Sequence, residues 1–297
     1  MGISLGTNQY GKAENRVVRV VRDTARHEIR DLNVSTSLRG DFTDAHVGGD
    51  QGAVLPTDTQ KNTAFAYAKD HATGPIEDYA LALANHFVAD VGGVSSARVA
   101  IEEYAWRRID VGGRGHDHSF VRSGESVRST IVTVDEADSW VVSGVSGLVI
   151  AKTTGSEFRG FMTDEYTTLA EADDRILATS LVARWRYADA SVDWDATHAG
   201  VVDALLETFA TKHSLALQHS LYAMGEAVLE RYPAVAEIRF SAPNKHHFAV
   251  DVERFGVQNN GEVFIAADRP YGLIEATVQR DDAPDAGDAW RAVPGFC

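Results

Sequence analysis

Hydrophobic and polar residues alternate with a period of two over much of the chain. Six stretches keep this alternation, which is typical of β-strands with one buried face. Several of them are longer than an ordinary strand, so the pattern predicts a long antiparallel sheet. The six stretches are residues 17–22, 27–40, 98–111, 125–134, 139–154 and 180–194.

Three other segments have the three-to-four-residue spacing of amphipathic helices. The first follows Pro75, a residue that suits the start of a helix, and it ends before Gly92. Its hydrophobic residues, among them Leu83 and Phe87, fall on one stripe. The spacing predicts helices over residues 76–91, 195–213 and 218–232.

A weak internal repeat divides the chain. Each half has the outline strand–strand–helix–strand, which predicts two similar α+β domains, residues 1–135 and 136–297. The glycine-rich, polar segment 111–126 suits the connection between them. An acidic tail from about residue 280 is expected to be flexible.

Composition and charge narrow the possible functions. The 297 residues are 44% hydrophobic, an ordinary globular value, and 28 basic against 43 acidic residues give a net charge of −15. This balance argues against a surface for nucleic acid or an anionic membrane. Cys297 is the only cysteine, so a disulfide framework and a cysteine-based metal site are excluded. With no export signal, peroxisomal signal or membrane-spanning run, we expect a cytoplasmic protein.

Two polar residues interrupt the hydrophobic face of a predicted strand over residues 238–250. Asn244 and His246 share this face with Phe240 and Phe248. A buried amide and imidazole must be hydrogen-bonded, so they are either a satisfied core pair or polar contacts at the floor of a pocket. The pattern leaves both interpretations open.

A second polar cluster is the pair His116 and His118. The two side chains share a strand face at a spacing suited to metal ligands, but no third ligand can be identified. The pattern alone therefore favours hydrogen bonding over metal binding. The chain has no phosphate-binding glycine loop and no GxSxG nucleophile elbow.

The segment KTTGSEFRGFMTDEYTTLAEADDR, residues 152–175, carries the most specific motif. It resembles the signature of the urate oxidase (uricase) family. Six further blocks of that family are recognisable in the same order, so the resemblance runs from residue 10 to about residue 278. These blocks are YGK (10–12), TDTQKNT (57–63), HDHSF (116–120), LQHSLY (217–222), SAPNKHHF (241–248) and RPYGLI (269–274).

The resemblance implies a cofactor-free enzyme that converts urate, O2 and water to 5-hydroxyisourate and hydrogen peroxide, without metal or flavin. It also implies two tandem tunnelling-fold (T-fold) domains per chain, with helices on one face of a long antiparallel sheet. Two such chains would close a barrel, and two barrels would form a homotetramer, a dimer of dimers with active sites at the subunit interfaces.

The same resemblance assigns the urate-binding residues. Arg175 and Gln218 would clamp opposite edges of urate, since a planar guanidinium and an amide suit its carbonyl and nitrogen atoms. Phe158 would stack on the purine ring. The remaining contacts would come from the main chain of Thr57, Asp58 and Leu217.

Proton transfer is assigned by resemblance to Lys12 and Thr57, with His246 beside them. Lysine is a weak base at its usual pKa, so Lys12 is expected to be partly desolvated or close to other cations. O2 and the attacking water would be held by Thr57 and Asn244, which favours the pocket interpretation of the Asn244 amide.

Two alternatives compete with this assignment. One is a zinc-dependent T-fold enzyme that acts on a pterin or purine nucleotide and binds zinc through His116, His118 and another histidine. The other is a purine-binding protein without catalytic activity. Lys12, Thr57 and His246 argue against the second, because a binding protein needs no proton relay.

Overall fold

A computed structural model describes residues 2–293. The contacts within it divide the chain into two units. The first contains the chain up to Gly144 with Arg186–Ala196 and Pro284–Ala292, and the second contains Val145–Trp185 and Thr197–Ala283. The division of two T-fold domains at residue 135 stays a prediction. No helix in the described range is both long enough and apolar enough to cross a membrane.

The first unit combines an antiparallel sheet with helices. Its strands are hydrogen-bonded in the order β1-β2-β3-β6-β7, and β4 and β5 form a separate hairpin. The strands are β1 (Asn15–Val21), β2 (Glu28–Gly40), β3 (Val94–Glu103), β4 (Trp106–Val111), β5 (Arg114–Arg122), β6 (Val127–Asp135) and β7 (Ser139–Lys152), which continues into the second unit; the helices are α1 (Thr43–Val47), α2 (Thr57–His71) and α3 (Ile76–Asp90).

The core of this unit lies between one face of the sheet and α3. Helix α3 packs on β3 and β6, and its Leu83 and Phe87 are fully buried. Alternate residues of β2, from Leu32 to Leu38, are buried on this face. The residues between them, such as Ser37 and Arg39, lie on the opposite, polar face. The predicted alternation and the predicted helix are thus confirmed here.

The predicted strand 98–111 is wrong as a single element. It breaks after Glu103, and the next residues form the β4–β5 hairpin. The break coincides with the buried carboxylate of Asp31, which accepts hydrogen bonds from the Trp106 indole (3.0 Å) and from Arg122 (3.4 Å). The segment 111–126 is therefore not a loose connection but includes a strand, whose tight turn has Gly112 and Gly113 at positive φ.

The second unit repeats the combination of sheet and helices. Its strands are hydrogen-bonded in the order β7-β8-β9-β12, and β10 pairs with β11. Helix α5 packs on β9 and β12. The elements are β8 (Leu177–Tyr187), α4 (Trp194–Thr211), α5 (Leu217–Arg231), β9 (Val235–Asn244), β10 (His247–Ala249), β11 (Phe264–Ala266) and β12 (Gly272–Gln279).

The predicted strand 238–250 is also interrupted. Strand β9 ends at Asn244, and His246 lies in the connection to β10, so the two residues do not share one continuous strand face. Pro243 removes a backbone donor just before this end. Beyond Asn244 the backbone bonds elsewhere, because Lys245 N–H donates to the carbonyl of Ala178 (2.8 Å).

The described part of the tail after β12 makes contacts with the first unit. Ala289 is buried, and the carbonyl of Ala292 accepts a hydrogen bond from Arg98 (2.6 Å). The flexibility of the tail from about residue 280 stays a prediction. Cys297 lies outside the described residues.

Candidate active site

Lys12 is held by β2 immediately before β1 begins. Its carbonyl accepts a hydrogen bond from the Thr36 N–H (2.8 Å), and its own N–H donates to the Thr36 hydroxyl (3.3 Å). Gly11 permits this close approach, since a Cβ there would lie 1.8 Å from the Thr36 carbonyl oxygen. The backbone of Lys12 is thus fixed, and its side chain is half-buried.

Thr57 is the first residue of α2, a helix that the periodicity did not predict. The buried side chain of Gln60, one turn later, accepts a hydrogen bond from the Thr36 hydroxyl (2.8 Å) and donates to the carbonyl of Leu55 (3.4 Å). Thr36 therefore links the backbone of Lys12 to the first turn of α2. This link places Lys12 and Thr57 on neighbouring elements of the first unit.

Asp58 lies in the same first turn with its side chain exposed. Lys61 binds this carboxylate, and Asn62 donates a hydrogen bond to it (3.1 Å). The hydrogen bond from Lys61 lowers the pKa of Asp58, and the charge of Lys12 contributes to the same shift. Because N–H groups in a first turn have no intrahelical acceptor, the main chain of Thr57 and Asp58 can donate to a bound ligand.

Phe158 and Arg175 meet in the second unit. The guanidinium carbon of Arg175 lies 4.9 Å from the centroid of the Phe158 ring, and Phe161 stacks on the same ring at 5.0 Å. Backbone hydrogen bonds join Phe158 to Ala172 in both directions, which brings the two segments together. A cation and an aromatic ring are thus side by side, as binding of a planar anion requires.

The guanidinium of Arg175 has no ion pair among residues 2–293. Its Nε is buried and has no hydrogen-bond partner in that part of the chain, and burial lowers its pKa. Burying a charged group without a partner is costly, so a site of this kind favours binding of an anion. Arg175 is the residue whose surroundings indicate a ligand most directly.

Asp174 holds the turn that carries both side chains. It accepts hydrogen bonds from the Thr154 hydroxyl (2.5 Å) and from the Ser156 N–H (3.2 Å). The bond from Thr154 is the main reason why the pKa of Asp174 is lowered. The Ser156 carbonyl in turn accepts a hydrogen bond from the Arg175 N–H (2.7 Å), so this turn positions Arg175 directly.

Leu217 and Gln218 form the start of α5, with Leu217 buried and Gln218 exposed. Ser214 connects this helix to the Phe158 segment: its carbonyl accepts a hydrogen bond from the Glu157 N–H (2.8 Å), and its hydroxyl lies 2.7 Å from that of Ser220. Gln218 is therefore carried by the same local framework as Phe158.

Asn244 and His246 stand at the end of β9, both half-buried. The bond from Lys245 to Ala178 attaches this end to the start of β8, three residues after Arg175. The ring of His246 stacks near Phe248, with centroids 5.8 Å apart.

The site residues thus fall into two groups. Lys12, Thr57 and Asp58 belong to the first unit, and the other six, including His246, belong to the second. Sequence reasoning missed Thr36, Gln60 and Asp174. Thr36 left a detectable signal, because it is a polar residue on the otherwise apolar buried face of β2.

The paired histidines do share a face of β5, as predicted. The ring centroids of His116 and His118 are 4.5 Å apart, and His27 lies 6.0 Å from His118. Within residues 2–293 no group of three or more His, Cys, Asp or Glu side chains is arranged to hold a metal ion. The zinc alternative therefore receives no support.

Comparison with known proteins gives a consistent result over nearly the whole chain. The uricase family model matches residues 8–133 and 141–275. A uricase from Arthrobacter globiformis is 50% identical over 295 residues, covering 99% of this chain and 96% of that protein, and one from Aspergillus flavus is 35% identical over 92% of this chain and 95% of that protein. The crystal structure of the Arthrobacter globiformis uricase has a TM-score of 0.94, covering 98% of this chain and 99% of that chain. The chain therefore belongs to the uricase (urate oxidase) family.

Proposed function

We propose that this protein is a cofactor-independent urate oxidase. The reaction is urate + O2 + H2O to 5-hydroxyisourate + H2O2. Urate supplies both electrons, and O2 takes them up together with two protons to form peroxide. The observation that carries the proposal is Arg175, a half-buried guanidinium without an ion pair among the described residues, beside the ring of Phe158.

The second unit is proposed to bind urate. Arg175 faces one edge of the purine with paired N–H donors, and the Gln218 amide faces the other. Phe158 contributes stacking, which is worth about 1–3 kcal/mol for a base on an aromatic side chain. Leu217 contributes its main chain, and Asn244 holds O2 and then water above the ring.

The first unit is proposed to move the protons. This assignment is supported by Thr36 and Gln60, which join the backbone of Lys12 to the helix that begins at Thr57. The Lys12 amine and the Thr57 hydroxyl are proposed to pass the proton between them. The main chain of Thr57 and Asp58 completes the rim. His246, although it belongs to the second unit, is assigned to the same proton chemistry.

Each active site is proposed to combine two chains within a dimer of two tandem T-fold proteins, and two dimers form a tetramer. Lys12 and Thr57 come from one chain, and Phe158, Arg175, Gln218 and Asn244 come from its partner. Two-fold symmetry then creates two identical sites for each dimer.

The first experiment tests the reaction. Protein that has been treated with chelator and dialysed is mixed with urate, and the near-ultraviolet absorbance of urate, O2 uptake and peroxide are followed together. We expect urate loss, O2 uptake and peroxide in equal amounts. Activity that returns only when a metal or flavin is added would contradict the proposal.

The second experiment tests the shared site by co-expression of Thr57→Ala and Arg175→Ala chains. Each variant alone is expected to be nearly inactive, Thr57→Ala mainly through kcat and Arg175→Ala mainly through KM. In a mixed dimer, one active site contains both substitutions and the other contains neither. Random assembly makes about half of the dimers mixed, so about a quarter of the sites are intact and that fraction of activity should return.

The control is a mixture of the two separately purified proteins, which should stay inactive if subunits do not exchange. Failure to recover activity in oligomers shown by mass spectrometry to contain both chains would mean that each site is built within one chain. That outcome would leave the proposed reaction itself intact.

A further inference from the structure

A small cavity lies on the polar face of the first unit's sheet, the face opposite α3. It is partly open to solvent and has a volume of about 10 Å³, enough for about one water molecule. Strands β2, β3 and β6 form its floor, and the tail after β12 covers it. The residues that line it are Gln9, Ser37, Arg39, Ser96, Arg98, Thr133, Asp288 and Arg291.

Three polar atoms of this lining are buried without a hydrogen-bond partner in the described part of the chain. They are Nη1 of Arg39, Nε of Arg98 and the hydroxyl oxygen of Thr133. Two of these are charged donors, and the hydroxyl can also donate. Buried donors are rarely left unsatisfied, so the cavity is built for an acceptor.

The charges around the cavity favour an anion as that acceptor. Arg39 binds the neutral amide oxygen of Gln9, and Arg98 binds the carbonyl of Ala292. Neither guanidinium has an ion pair among residues 2–293, and the carboxylate of Asp288 is paired with Arg291 (2.7 Å). The lining therefore carries an excess of two positive charges.

The two arginines are also close in the sheet. Arg39 is opposite Ser96 and Arg98 is opposite Ser37, so they are diagonal neighbours on adjacent strands. Like charges at this spacing repel each other, and burial lowers the pKa of Arg98. An anion between the guanidinium groups would offset both penalties.

We propose that this cavity is a binding site for a monatomic halide, chloride in solution, held by Arg39, Arg98 and the Thr133 hydroxyl. The small size of the cavity favours a monatomic ion over phosphate, sulfate and carboxylates, and its open side leaves room for an ion somewhat larger than a water molecule. A wider open cleft of about 530 Å³ shares Arg39, Ser96, Asp288 and Arg291 with the cavity and gives the ion access from solvent, although Asp135 and Glu136 also line that cleft.

A halide at this position would fasten the tail to the sheet. The Arg98 side chain that binds the ion also donates to the carbonyl of Ala292, and Asp288 and Arg291 of the tail line the cavity. The ion therefore stabilises the folded chain by mass action, and its effect is expected on unfolding rather than on turnover.

The experiment measures the unfolding temperature of the assembled protein at constant ionic strength, with sodium gluconate replaced stepwise by sodium chloride or bromide. We expect a saturable rise of a few degrees. Arg98→Gln should abolish the rise, whereas Arg22→Gln, which removes an exposed arginine without a described partner, should retain it. Thr133→Val should raise the half-saturating chloride concentration roughly tenfold.

Two further measurements keep the test decisive if Arg98→Gln does not fold. Crystals of the unaltered protein soaked in bromide should show an anomalous peak between Arg39 and Arg98. Arg175→Gln should keep a saturable halide response, because its guanidinium belongs to the proposed urate site and any halide bound there only adds to the effect of the cavity. No peak, a response that merely follows ionic strength, or a response lost in Arg175→Gln would overturn the proposal and assign water to the cavity.

Discussion

Replacing Gly11 with alanine tests how the backbone positions Lys12. The new Cβ would lie 1.8 Å from the Thr36 carbonyl oxygen and 2.8 Å from the Cα of Ser37, and both are main-chain atoms of β2. Real Cβ contacts are essentially never below 3.0 Å, so the segment must move away from β2 by about 1 Å or more. No side-chain rearrangement can relieve such a clash.

The magnitude follows from the contacts that this movement breaks. Lys12 exchanges two hydrogen bonds with Thr36, at 2.8 and 3.3 Å, and Tyr10 exchanges two with Leu38, at 3.1 and 2.7 Å. Each is worth about 0.5–1.5 kcal/mol net, so losing most of them costs roughly 2–4 kcal/mol in the free energy of unfolding. A misplacement of about 1 Å at a reacting group costs on the order of 10²-fold in rate.

The assay compares kcat for urate with the unfolding free energy. We expect Gly11→Ala to lower kcat about 100-fold with a smaller change in KM, because the proposed urate clamp lies in the other unit. Gly6→Ala is the matched control, since a Cβ at that position meets no atom within 4 Å. If Gly11→Ala had the kcat and stability of Gly6→Ala, the proposed positioning of Lys12 by Thr36 would be refuted.

Two other substitutions test the residues that sequence reasoning missed. Gln60→Leu should lower the free energy of unfolding by about 1–3 kcal/mol and should also lower kcat, because it removes the acceptor of the Thr36 hydroxyl. In a double-mutant cycle, the loss of unfolding free energy in Gln60→Leu/Thr36→Val should be smaller than the sum of the losses in the two single variants. Asp174→Asn should raise KM for urate by loosening the turn that carries Arg175. The pKa of Asp174 is lowered in the folded chain, so its carboxylate stays ionised, and keeps stabilising the turn, at every pH above its ordinary value of 3.8. This stabilisation is lost only as the pH falls through the lower pKa of the folded state. The increase in KM should therefore be constant between pH 5 and 9, and an increase that vanished within that range would be inconsistent with this role.

Local periodicity was sufficient for part of the framework. The alternation in β2 and the stripe of Leu83 and Phe87 in α3 depend only on neighbouring residues, so the sequence predicts them correctly. The family and its candidate residues were recognisable from ordered motifs, because residue types at fixed spacing are themselves sequence information. The roles of those residues remain predictions.

The tertiary structure decided where these elements stop and what lies beside them. The alternation of hydrophobic and polar residues continues past Glu103, but strand β3 ends there and the β4–β5 hairpin follows. Trp106 and Arg122 of this hairpin donate hydrogen bonds to the buried carboxylate of Asp31. Such an interaction joins residues about 75 to 91 positions apart, and no local pattern contains it.

The candidate sites also depend on contacts between residues that are far apart in sequence, which no local pattern contains. Thr36 connects Lys12 to α2 through Gln60, 24 residues away in sequence, and Arg98 meets the tail 194 residues later. The sequence determines which side chains are polar and which face of a strand they occupy. Whether a polar side chain has a hydrogen-bond partner depends on the groups that folding places beside it. Only the structure therefore shows that Arg39, Arg98 and Arg175 have no carboxylate partner among the described residues.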